Sequence, residues 1–447
     1  MSRPDGAPFG WLGIFRLGLV QAALGAIVVL TTSTLNRVMV VELALPAMLP
    51  GALVALHYAV QVLRPRLGYG SDLGGRRTPW IIGGMAVLAA GGVLAALATV
   101  LMFTERTAGM VLAVLAFMMV GGGVGACGTS LLVLLAKRVD ERRRAGAATA
   151  VWLMMIVGFV VTAGLAGHFL DPFSPARLLL VSAVVSAVAF VVTLLATLGI
   201  EGRTAAPATS GTRPTPFRTA MAQVWSEPRA RRFTIFIFVS MLAYSAQDLI
   251  LEPYAGTVFG MTPGASTGLA SVQHGGVLVG MLLLAVLGST AWGRRLCSMQ
   301  TWTFIGCIAS ALALGNLAAG GLVGAGFPLR QAVFLLGAAN GLFAVAAIGS
   351  MMGLVGEGRE DREGVRMGLW GAAQAVAYAV GGFLGTAAID LTRQLMDSPA
   401  PAYAAVFGAE AVLFLVAAAL AKQVVRPDAA PATATPVLTE QSAAADC

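Results

Sequence analysis

The chain has 447 residues, is 57% hydrophobic and only 11% charged, and its mean hydropathy is +0.83. A soluble domain carries about 25% charged residues, so the composition excludes soluble enzymes and binding modules and leaves a polytopic membrane protein. The net charge of +8 does not point to nucleic acid. The basic residues sit in short segments between apolar runs, where they orient a membrane protein and meet anionic headgroups.

A membrane span needs about 20 mostly apolar residues. Runs that satisfy this lie near 14–36, 46–66, 80–103, 108–136, 146–168, 176–200, 233–251, 266–290, 299–320, 330–356, 367–390 and 402–422. They predict an all-α membrane protein of 12 transmembrane helices in two six-helix halves. The first half covers 1–200. A cytoplasmic linker rich in Pro, Thr and Arg covers 201–232, the second half 233–426, and a disordered cytoplasmic tail 427–447. Alternating the loops between two sides puts 24 of the 29 Lys and Arg residues on the side of both termini and 5 on the other. That bias predicts that both termini are cytoplasmic.

The loop after the second run reads Gly68-Tyr-Gly-Ser-Asp72-Leu-Gly-Gly75-Arg76-Arg77. Its glycines suit a sharp turn between closely packed helices. Asp72 can accept from a helix N-terminus or pair with an arginine, as a cytoplasmic gate or latch. The pattern resembles the loop between helices two and three of the major facilitator superfamily, with Leu73 where that family often has a base. A weak repeat supports the same fold. Gly75-Arg76-Arg77 returns as Gly293-Arg294-Arg295, offset by 218, and Asp140-Glu141-Arg142 as Glu360-Asp361-Arg362, offset by 220. Parallel six-helix halves produce such repeats.

Ionisable residues inside spans are costly and mark function by default. At an offset of 211, Asn36 and Arg37 at the end of span one match Gln247 and Asp248 at the end of span seven. With Glu42 and Glu252 they are expected to form a polar cluster on the periplasmic side, with Arg37 paired to Asp248 across the halves. His57 and His274 lie 19 and 20 residues before Arg76 and Arg294, at similar heights on spans two and eight, with Gln61 and Gln273 nearby. Two readings stand for them: hydrogen bonding between helices, or axial ligation of a chlorin's magnesium. Gln374 and Tyr378 share a face of span eleven, and Glu410 is an acid in mid-span twelve. Trp11, Trp80, Trp152, Trp292 and Trp370 fall near span ends, as an aromatic belt would. Cys127, Cys297, Cys307 and Cys447 lack metal or disulfide spacing. No phosphate loop, nucleophile elbow or metal cluster appears, so no enzyme and no metal site is expected.

Four stretches together are more specific. Leu35-Asn-Arg-Val-Met-Val-Val-Glu-Leu43, Gly70-Ser-Asp-Leu-Gly-Gly-Arg-Arg-Thr-Pro-Trp80, Gln247-Asp-Leu-Ile-Leu-Glu-Pro-Tyr254 and Gly368-Leu-Trp-Gly-Ala-Ala-Gln-Ala375 resemble the PucC/LhaA, or bacteriochlorophyll delivery, family. The resemblance runs to about residue 425. It implies a light-harvesting assembly factor in the inner, photosynthetic membrane of a bacterium, with bacteriochlorophyll as bound cargo. Antenna polypeptides would be its partners, then reaction-centre or pigment-synthesis proteins. Candidate pigment-binding residues are then His57, His274, Gln61 and Gln374. The rival expectation is a proton-coupled transporter of a small hydrophobic solute, with Asp248 or Glu410 as the coupling acid.

Overall fold

A computed structural model describes residues 9–61, 76–201, 225–290, 298–356 and 363–425. The first half contains α1 (Trp11–Glu42), α2 (Met48–Val60), α3 (Thr78–Leu101), α4 (Arg106–Arg138), α5 (Glu141–Leu170) and α6 (Pro175–Thr197). The second contains α7 (Pro228–Phe259), α8 (Pro263–Ser289), α9 (Met299–Val323), α10 (Leu329–Gly356), α11 (Glu363–Leu395) and α12 (Pro399–Val425). Among the described residues, eleven of these are long and apolar enough to cross a membrane. The exception, α2, is described for 13 residues. The expected linker and tail lie largely, and Gly68–Gly75 of the loop motif wholly, outside the described residues.

The helix ends follow local chemistry. Pro175, Pro228 and Pro263 open α6, α7 and α8, where their missing N–H costs nothing. The side chains of Ser174, Thr262 and Ser298 accept from Arg177 N, Ala265 N and Thr301 N, each cap contributing about 1 kcal/mol. Gly260 closes α7 in the left-handed conformation, φ 64°.

The neighbour pattern repeats between the halves. In the first half α1 packs on α5 and α6, α2 on α4, and α3 on α4 and α6. Six helices later, α7 packs on α11 and α12, α8 on α10, and α9 on α10 and α12. Two seams join the halves: α2 against α11, and α5 against α8. Lipid offers no hydrophobic drive for helices to associate, so close backbone approach matters. A Cβ at Gly167 of α5 would lie 2.7 Å from the Gly264 carbonyl oxygen and the Gly268 nitrogen of α8. The outer faces carry exposed aliphatics such as Leu180 and Leu312. Trp370, expected in an interfacial belt, is instead buried against Phe233, ring centroids 4.8 Å apart.

Most helices outrun their predicted spans, and two do so past buried charges. α1 continues past 36 to Glu42, and α7 runs from Pro228 to Phe259 instead of 233–251. A hydropathy reading stops at the first charges. The helices continue because those charges find partners inside the protein.

Candidate functional site

Of the expected polar cluster, Arg37, Glu42 and Glu252 come together, while Asn36, Gln247 and Asp248 are held elsewhere. Two short π-helical turns, Leu30–Thr34 and Val38–Glu42, interrupt α1 on either side of Asn36 and Arg37. The wider turn brings residues five apart onto one face. Arg37 Nη1 therefore reaches Glu42 Oε1 at 2.5 Å. Arg37 Nη2 donates to the Met261 carbonyl at 2.7 Å, which ties α1 to the connection between α7 and α8. Ser33 and Arg37 also face the Glu252 carboxylate of α7. Arg37 is only 2% exposed, so these contacts decide whether its charge is tolerable. Asp248 is not its partner. Its carboxylate accepts from Gln273 Nε2 of α8 at 3.4 Å. The predicted Arg37–Asp248 pair fails because Glu42, one π-turn along the same helix, takes the guanidinium first.

Asn36 crosses the seam by another device. Pro253 lies inside α7 and has no N–H, which releases the carbonyl four residues earlier. That carbonyl belongs to Leu249, and Asn36 Nδ2 donates to it at 2.6 Å. Thr34 and Thr267 hydroxyls meet at 3.1 Å between α1 and α8. Gln247, the repeat-mate of Asn36, is fully buried, and its amide nitrogen and oxygen find no protein partner among the described residues.

Below this closure, α2, α7, α8 and α11 converge. Tyr58 and Tyr378 meet as tilted rings with centroids 5.2 Å apart, and Tyr244 approaches Tyr378 at 6.0 Å. Asp248 lies within electrostatic range of both Tyr244 and Tyr378, and of Glu410 on α12. Glu410 is 3% exposed, and both its carboxylate oxygens lack a hydrogen-bond partner among the described residues. Gln374 lies 3.8 Å from the Met241 sulfur.

His274 lies in the α5–α8 seam, whereas His57 of α2 finds its ring partners within its own helix, with its backbone carbonyl against Gly121 of α4. His57 Nε2 accepts from the Gln61 amide at 2.9 Å, and its ring sits edge-on to Tyr58. His274 Nδ1 donates to the Ala270 carbonyl at 2.9 Å, and its ring meets Phe159 of α5 at 4.8 Å. Both rings are buried and packed within the bundle.

The sequence reading missed the contacts that clamp the halves together. Asp390 at the end of α11 accepts from the backbone N–H groups of Ala47 (2.8 Å) and Met48 (2.7 Å), capping α2. Asp171 at the end of α5 accepts from Thr262 Oγ1 (2.7 Å) and Gly264 N (3.2 Å), capping α8. The two acids are 219 residues apart, between the offsets of 218 and 220 of the loop repeats, and that spacing was the available signal. Each carboxylate also meets the positive end of a helix dipole. On the other side of the bundle, Glu201 accepts from Arg77 N, Thr78 N and Thr78 Oγ1, capping α3. Of the loop motif, Arg76 is exposed and Arg77 buried; Gly68, Asp72 and Gly75 lie outside the described residues.

Residues 34–429 match the family model described as PUCC protein. A Rhodobacter capsulatus protein named "Bacteriochlorophyll synthase 44.5 kDa chain" is 55% identical over 417 residues, covering 93% of this chain and 96% of that one. "Protein PucC" of Cereibacter sphaeroides is 32% identical over 428 residues, 90% of each chain. Among solved structures, the nucleoside transporter NupG superposes with a TM-score of 0.66 at 14% identity, covering 93% of this chain and all of that one. The peptide transporter POT in complex with sulfate gives 0.67 at 14% identity, covering 94% and 97%. At such identities the likeness concerns the fold alone, the two-half transporter fold of the major facilitator superfamily.

Proposed function

From the premise that this chain belongs to the PUCC protein family, we propose that it is an assembly factor for light-harvesting complexes. It binds bacteriochlorophyll within the membrane and hands it to antenna polypeptides. It works in the inner, photosynthetic membrane with both termini cytoplasmic, alongside reaction-centre or pigment-synthesis proteins. The observation that carries the reading is near-full-length similarity to relatives whose names refer to bacteriochlorophyll and to PucC. The surface supports it: a large apolar pigment needs a handler whose outer face is aliphatic and grooved, with few charges, and exposed Val and Leu dominate α5 and α6 here. The reading is of a carrier that changes no covalent bond; the word synthase belongs to the relative's name.

The test is purification of the full chain from a bacteriochlorophyll-making host. Bound pigment and co-purifying antenna polypeptides are expected, and a deletion strain should lose antenna absorption. A second reading, a proton-coupled transporter of a small hydrophobic solute, draws on the half-buried Asp248, the buried Glu410 and the transporter fold. A colourless protein that drives proton-coupled uptake in liposomes would replace the first reading with the second.

A further inference from the structure

The third histidine, His168, has the most open setting of the three. An apolar groove of about 1130 Å³ runs down the lipid-facing side of the first half between α1, α5 and α6. Its floor includes Ala22, Ala26 and Gly158, and its walls include Val161, Leu165 and Val184. Gly158 is needed there, because a Cβ would strike the Ala22 backbone. From Met154 to His168 along α5 the groove covers about 21 Å at 1.5 Å per residue, most of a bilayer's apolar thickness. Polar groups gather at one end: His168, Asp171 and Arg177.

Those three groups differ in what remains available. The Asp171 carboxylate is engaged by Thr262 and Gly264. Arg177 Nη1 donates to the Pro172 carbonyl, and the residue keeps part of its surface. His168 is exposed, its ring rests edge-on against Phe169 at 5.3 Å, and neither ring nitrogen has a hydrogen-bond partner among the described residues. His57 and His274, by contrast, are buried with a ring nitrogen already bonded. A neutral imidazole at the mouth of a long apolar slot is the chemistry that holds a metallated macrocycle by its metal. The adjacent guanidinium can donate to the macrocycle's peripheral carbonyls, and the slot below accepts a long hydrocarbon tail.

We propose that this groove is the pigment site: His168 is the axial ligand of a magnesium tetrapyrrole, Arg177 hydrogen-bonds its rim, and its isoprenoid tail lies along α5 towards Met154 and Phe15. The assignment rests on the reading of the chain as a bacteriochlorophyll carrier and moves the ligand from the two buried histidines to the outer face. It leaves the pigment open to the bilayer, where an antenna helix can collect it without the two halves separating.

The test titrates detergent-solubilised full chain, made in a host without pigment, with bacteriochlorophyll, and reads absorption, fluorescence quenching and the resonance Raman marker of magnesium coordination. His168→Leu is expected to lose the axial-ligand signature and weaken binding about tenfold or more, a factor equal to about 1.4 kcal/mol. Val184→Trp, which fills the groove from an exposed position, should weaken binding comparably with an unchanged melting temperature. Wild-type binding in both variants together with loss in His274→Leu or His57→Leu would overturn the site and leave the carrier reading standing. A wild-type chain that binds no bacteriochlorophyll would overturn the carrier reading and the site with it. Native mass spectrometry that finds phospholipid in the groove, or cross-links that place an antenna helix there, with pigment binding unaffected by Val184→Trp, would also overturn the site.

Discussion

The two halves share a pattern of helix neighbours and differ in what fills it. The interior of the second half is a run of rings. Phe233 packs on Trp370 and Phe236, Phe236 on Phe343, Phe343 on Phe414, and Tyr254 on Tyr403 and Phe407. The interior of the first half is built mainly from Leu, Val, Ile, Ala and Met. Rings bridge α7 and α12, whereas no aromatic pair bridges their counterparts α1 and α6 among the described residues, and the groove opens beside that pair. The second half also buries polar side chains, Gln247, Glu410 and the Ser310–Asn340 pair. Duplication thus fixed the scaffold and the paired caps, while each half took its own interior. One half is braced by interlocking aromatics, and the other keeps an aliphatic slot facing lipid.

If the rings brace the second half, deleting one should be the most damaging change. Phe407→Ala is expected to cost about 3–5 kcal/mol, the usual loss for a fully buried phenylalanine. Val184→Phe, which adds a ring to the open groove, should stay within about 0.5 kcal/mol of wild type because its site is exposed. Thermal unfolding in detergent measures both. Equal losses would remove the distinction between a filled half and an open one.

The next effect tests the closure between the halves. Arg37→Ala strands Glu42 and Glu252 and releases the Met261 carbonyl. Removing one partner of a buried ion pair costs about 3–5 kcal/mol, and the partial exposure of Glu42 puts this case near 3 kcal/mol. Arg37→Ala/Glu42→Ala should recover part of that loss, whereas Arg37→Ala/Asp248→Ala should add nearly independently. The opposite ranking of the two double mutants, read from unfolding midpoints, would restore the pairing expected from the sequence.

That case marks how far the sequence could be read. The spans, their division into two halves and the polar ends of spans one and seven were legible, because bilayer thickness and charge cost leave strong marks on composition. The partners were not. Arg37 and Glu42 are five residues apart and share a face only because α1 takes a π-turn there. Asn36 bonds to Leu249 only because Pro253 leaves that carbonyl unused. Asp171 and Asp390 carry no local mark of a partner in the sequence, although their spacing of 219 lies between the two loop-repeat offsets. The groove left no mark at all, since aliphatic residues lining a slot and aliphatic residues facing lipid read alike.

Those two caps supply a smaller effect in which the halves should agree. Asp171→Ala and Asp390→Ala each remove a carboxylate from the start of a helix in the opposite half, an interaction of about 1 kcal/mol. Similar losses of stability are expected, with raised cysteine labelling of sites placed along the α2–α11 and α5–α8 seams. A large difference between the two would mean that one seam alone holds the bundle closed.

The smallest expected effect concerns Glu410, whose counterpart at the repeat offset of 220 is the apolar Phe190. The acid is buried, lacks a hydrogen-bond partner among the described residues, and sits within electrostatic range of Asp248. An ionised carboxylate in such a place is costly, and an isosteric amide removes that cost while keeping the volume. Glu410→Gln should therefore match or exceed wild-type stability by up to about 1 kcal/mol. If the open first half carries the pigment, the variant should also support normal antenna absorption in a complemented deletion strain, because nothing in the groove touches α12. Loss of antenna with bacteriochlorophyll still bound would separate binding from release and tie release to proton movement through the second half. The aromatic half would then be a working coupling domain, and the two halves would divide one task between a site that holds and a core that drives.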